Sequence, residues 1–128
     1  MGFQIVATAP RTQDVEFLSN ISHARANRFG QWLDHMHPGL SFAAAGPATP
    51  LVTADYSTLA FILTCGYNGS SMSLVQCCDA LKGLQPLTDA FLDYFPVDQE
   101  LDDYIGLAFL FRAALEYAVG NGGELHLI

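Results

Sequence analysis

The stretch Pro96–Gly120, PVDQELDDYIGLAFLFRAALEYAVG, decides how the rest of the chain is read. It opens with acids, turns almost wholly apolar and stops at glycine. Pro96 suits a first helical turn, where its missing N–H costs nothing. Asp98, Glu100, Asp102 and Asp103 gather where a helix dipole is positive. Asn121, Gly122 and Gly123 follow Gly120 and supply residues that tolerate a helix stop. Between these signals, Leu101, Tyr104, Leu107, Ala108, Phe111, Leu115, Ala118 and Val119 recur at helical spacing. The opposite strip, Asp102, Ile105, Phe109, Arg112 and Glu116, also carries two large apolar residues. A helix that is apolar nearly all round is buried on most sides. The pattern therefore predicts a central core helix near the C-terminal end. A membrane span is not expected: the uncharged run 104–111 is far shorter than the roughly 20 residues needed.

Composition sets the wider frame. A length of 128 residues predicts a single globular domain over 1–128, large enough for a real core. Hydrophobic residues make up 51% and charged residues only 14%, against about 25% charged in ordinary globular chains. So few charges cover a small surface poorly, which predicts that apolar surface is hidden by a second copy, most simply in a homodimer. Ile105 and Phe109 are the expected self-association strip.

The net charge of −8 is unevenly distributed. Residues 1–54 balance three acids with three arginines, whereas residues 79–128 hold nine acids against Lys82 and Arg112. This excludes ordinary phosphate-backbone binding to nucleic acid, which needs a basic patch. It permits a basic protein partner, and Asp98, Glu100, Asp102 and Asp103 are the expected contact residues.

Cysteine and targeting signals point to a reducing cytoplasm. Cys65, Cys77 and Cys78 are odd in number and include no C-x-x-C pair, so no disulfide framework is expected. The start MGFQIVATAP lacks the basic and apolar runs of a secretory signal.

Taken in order, residues 3–8 alternate as a first strand ended by Pro10. Thr12 is a candidate cap for a helix reaching Met36, with Val15, Leu18, Ile21, Phe29, Trp32 and Leu33 inward. Pro38-Gly39 stops it. Residues 55–65 read either as a helix or as a short buried strand. A cap at Thr53 or Asp55 and a stop at Gly66 favour the helix. Ser73 and Gln76 form a capping box for a helix ending at Gly83. Pro86 or Thr88 opens another helix through Tyr94. Residues 124–128 make a last short strand. The predicted fold is α+β, with four to five helices on a small sheet that includes strands from both ends of the chain.

Motifs carry little chemistry. No catalytic motif is present, and an enzyme is not the expected class. The loop Gly66–Ser71 stands before a helix. Its Gly66, Gly69, Ser70 and Ser71 are the candidate ligand-binding residues of an alternative role as a small-molecule or anion-binding module or a small enzyme, with His23 nearby. The loop lacks the Gly-Lys-Ser/Thr of a phosphate-cradling P-loop. His35 and His37, two apart, point to different sides of a helix, and no metal site or cofactor is expected. The leading expectation is an acidic interaction protein, inhibitor-like or immunity-like, that binds a macromolecular partner.

Overall fold

The computed structural model describes residues 2–36, 63, 70–93 and 98–128. Its elements run β1 (Gly2–Ala7), β2 (Val15–Ser22), α1 (His23–Met36), β3 (Ser70–Met72), α2 (Leu74–Asp89), α3 (Gln99–Gly120) and β4 (Leu125–Leu127). The four strands form one antiparallel sheet in the order β2-β1-β4-β3. The class is α+β. The helix count is three among the described residues, not the four to five expected. The ambiguous 55–65 stretch lies outside the described residues apart from Leu63, which is buried in the core.

Two segments differ from the expectation, and the second of them lowers the helix count. The first is the helix expected from Thr12 to Met36, whose first half is the strand β2. On β1, Phe3, Ile5 and Ala7 alternate with period two and are buried. Their partners on β2 are Ile21, Leu18 and Val15, which are three residues apart. Register irregularities between Phe3 and Ile5 and between Ile5 and Val6 each place an extra residue on β2. Two bulges thus stretch an inward period of two into three, which imitates a helix. The helix α1 begins only after Ser22, whose Oγ accepts the Arg25 N–H at 3.1 Å.

The second is the pair of helices expected on either side of Gly83. A single helix, α2, runs through both Gly83 and Pro86. Cys77, Ala80, Leu84 and Thr88 form one unbroken buried stripe across both residues, while Pro86 faces outward. Burial of that stripe outweighs the local stop signals. The capping box forms as written in the sequence. Ser73 Oγ accepts the Gln76 N–H at 3.3 Å, and Gln76 Oε1 accepts the Ser73 N–H at 2.9 Å. Near its end, the Thr88 hydroxyl lies 2.9 Å from the Leu84 carbonyl, and Arg112 Nη1 donates to that hydroxyl at 2.6 Å and to Asp89 at 2.8 Å.

The buried face of the sheet carries Phe3, Ile5, Ala7, Ile21, Met72, Leu125 and Leu127. It joins one hydrophobic cluster with Phe29 and Leu33 of α1, Cys77, Ala80 and Leu84 of α2, and Leu107, Phe111, Leu115 and Ala118 of α3. The opposite face shows exposed Gln4, Glu16 and Ser71. The helix α3 ends in a Schellman turn. Gly122, at φ +68°, donates to Val119 O at 3.2 Å, and Gly123 donates to Ala118 O at 2.7 Å. Gly123 is also required by packing, because a Cβ there would stand 1.9 Å from the Thr8 carbonyl oxygen. Among the described residues, no helix is long and apolar enough to cross a membrane.

Candidate binding groove between two helices

A column of aromatic rings leads from the core to the surface. Phe111 of α3 stacks on Phe29 of α1 with centroids 5.5 Å apart, and both are fully buried. Phe29 stacks on Trp32 at 6.0 Å, and Trp32 on Tyr104 of α3 at 5.5 Å. Trp32 is half-buried, and its ring also lies 6.2 Å from that of Phe91. Where the column reaches solvent, α1 and the start of α3 leave a recess.

The recess consists of three hollows that share Glu100 and Tyr104. The largest, about 680 Å³, is lined by Arg28, Gln99, Glu100, Asp102, Asp103 and Tyr104. The other two, of about 340 and 270 Å³, bring in Trp32, with Gln31 on one side and Asp98 on the other. On α1, positions 25, 28 and 32 share one helix face, which is why the arginines and the tryptophan meet the same stretch of α3.

The four acids do different work. Asp98 is the N-cap of α3, and its Oδ1 accepts the N–H groups of Glu100 at 2.9 Å and Leu101 at 3.2 Å. Asp103 pairs with Arg25 through two hydrogen bonds, one of them Nε to Oδ2 at 3.0 Å. Glu100 accepts the Tyr104 hydroxyl at 2.6 Å. That bond raises the Tyr104 pKa above its usual value near 10, with burial adding to the rise and Arg28 opposing it. Asp102 differs from the others: its Oδ1 is buried with no hydrogen-bond partner. Arg25 pairs with Asp103 and Arg28 lines the recess, so the four acids outnumber the two arginines around them.

The sequence singles out the acids. It does not show Arg25, Arg28, Trp32 and Tyr104 as their neighbours, because the start of α1 is hidden inside the expected longer helix. Of the remaining candidates, those among the described residues do not converge. Gly66 and Gly69 lie outside the described residues. Ser70 and Ser71 belong to β3, where Ser71 stands opposite His126. His23 opens α1 at the end of β2 and rests its ring on Phe3, with centroids 4.6 Å apart. β2 and β3 are the two outer strands of the four, about 14 Å apart at ordinary strand spacing. Ile105 is buried within its own chain, whereas Phe109 stays partly exposed. Among the described residues no group of three or more His, Cys, Asp or Glu side chains could hold a metal.

Neither a family model, a curated protein nor a solved structure matches this chain.

Proposed function

We propose that this protein is a small cytoplasmic interaction module that binds a basic macromolecular partner, in the manner of an inhibitor or immunity protein, and that it self-associates. The observation that carries the reading is the recess between α1 and α3, where carboxylates outnumber the cations around them. An excess of one sign on a concave surface steers an oppositely charged partner and sets its orientation. The free thiols of Cys77 and Cys78 suit a reducing compartment.

The geometry selects the residues for the test. Asp98 caps α3 and Asp103 pairs with Arg25, so changing either also disturbs the fold. Glu100→Lys with Asp102→Lys reverses the charge at the recess and leaves the cap and the ion pair in place. With a purified partner, affinity is expected to fall steeply as salt rises toward about 0.15 M and beyond. The double variant is expected to lose most of the remaining affinity. Binding that ignores both salt and the double variant would overturn the proposal.

A further inference from the structure

We infer that the two hollows lined by both Trp32 and Tyr104 form a site for a free α-amino acid with an aromatic side chain. Arg28 takes its carboxylate, Glu100 its ammonium, and the Trp32–Tyr104 wall its ring. This goes beyond the reading above, because the guest is small and carries no net charge.

Charge fixes one end of the guest. The hollow of about 340 Å³ is lined by Arg28, Gln31, Trp32, Glu100 and Tyr104, so one cation and one anion border the same space. Both lie at the Tyr104 hydroxyl: Glu100 accepts from it at 2.6 Å, and Arg28 is close enough to oppose the effect of that bond. Among the described residues, neither Arg28 nor Glu100 forms a salt bridge. A guest charged at one end only leaves one of the two without a counterion. An α-amino acid carries its ammonium and its carboxylate on one carbon and meets both. A guanidinium grips a carboxylate with a fork of N–H donors. Gln31 stands beside Arg28; its amide donates one N–H to Asn27 at 2.7 Å and keeps a second.

Shape fixes the other end. The adjoining hollow of about 270 Å³ shares Trp32, Glu100 and Tyr104 and adds Leu101 and Asp98. Asp98 is engaged by the two helix N–H groups it caps. The space beside Leu101 is therefore suited to the apolar part of the guest. Trp32 and Tyr104 stack 5.5 Å apart where the aromatic column reaches solvent. A guest ring extends that column, and aromatic pairs attract beyond the area they bury. Volumes near the small end of the usual range for ligand sites match a single amino acid.

Trp32 is the one tryptophan of the chain, so indole emission reads the site directly. L-Phenylalanine, which is not excited with the indole, is titrated into the full chain. It is expected to change the emission saturably, with half-saturation below about 1 mM. N-acetyl-phenylalanine amide lacks both charges, phenethylamine lacks the carboxylate, and L-alanine lacks the ring. Each should bind at least about tenfold more weakly. Arg28→Gln and Glu100→Gln should each weaken L-phenylalanine about tenfold, and the second keeps an acceptor for the Tyr104 hydroxyl. Arg11→Gln removes a charge from an exposed turn and should change nothing. No saturable change up to about 10 mM, equal binding of the capped analogue or of phenethylamine, or equal weakening by Arg11→Gln would overturn the inference. If a groove variant shows no native melting transition, the comparison of ligands on the wild-type chain decides alone. Arg28→Gln also separates the two readings: it weakens the amino acid, whereas loss of a positive charge favours a basic partner.

Discussion

At the scale of single residues, Cys77 shows how burial governs chemistry. Its thiol is fully buried at the start of α2, and burial pushes its pKa up from 9.0 to about 11. The thiolate is therefore suppressed, and Cys77 is a small apolar core residue. The sign of its pH effect follows. The folded pKa is higher than the unfolded one, so the contribution to stability is complete below pH 9.0 and is lost as pH rises toward about 11. Thermal melts across that window should show a fall in midpoint that is smaller in Cys77→Ala. An equal fall in both proteins would assign it to other groups. In the folded protein, Cys78, which is half-buried, should alkylate well before Cys77.

At the scale of elements, the aromatic column is the joint between α1 and α3. Phe111 is wholly buried and stacks on Phe29 with an interplanar angle of 17°. Phe111→Ala should cost about 3–5 kcal/mol, measured by urea unfolding. A cost below about 1 kcal/mol would mean that the column is not a principal support. Trp32 emission should shift as well, because its neighbour Phe29 loses its stacking partner. The same elements show what the sequence makes legible. The long helix α3 and its glycine stop are readable because local signals and burial agree there, whereas Asp98 reads only as one of several acids near the helix start and not as its cap. The Ser73–Gln76 box is readable too. The strand β2 is not readable, because Val15, Leu18 and Ile21 keep helical spacing and only pairing with β1 reveals the bulges. The continuous α2 is equally hidden, because Gly83 and Pro86 both argue for a break that the buried stripe overrides. The groove falls between these cases. Its acids are visible in the sequence, but its aromatic wall depends on where α1 starts.

At the scale of the whole molecule, the sheet ties distant parts of the chain together. β4 lies between β1 and β3, and Gln4 and Ile128 exchange two backbone hydrogen bonds of 2.9 Å. The centre of the sheet therefore cannot close until residues near 127 are in place, which favours late, cooperative folding. Scarce charge leaves apolar side chains in water: Val75 and Leu92 are 70% and 66% exposed. We expect a dimer that forms on the helical side, with Phe109 at or near the contact. Sedimentation at several concentrations should show it, and Phe109→Asp should shift it toward monomer. A wild-type chain that sediments as a monomer throughout would reject it.

The bulges that disguise β2 have a second effect. β2 is eight residues long, carries one charge, Glu16, and among the described residues is paired on one side only. A regular strand of that kind would offer a template for a neighbouring molecule to extend the sheet. Two irregularities within eight residues twist the strand and break the repeat that such a neighbour would have to match. The irregular strand thus guards against open-ended fibre growth through this edge, and leaves the helical layer as the surface on which copies can meet in a closed pair.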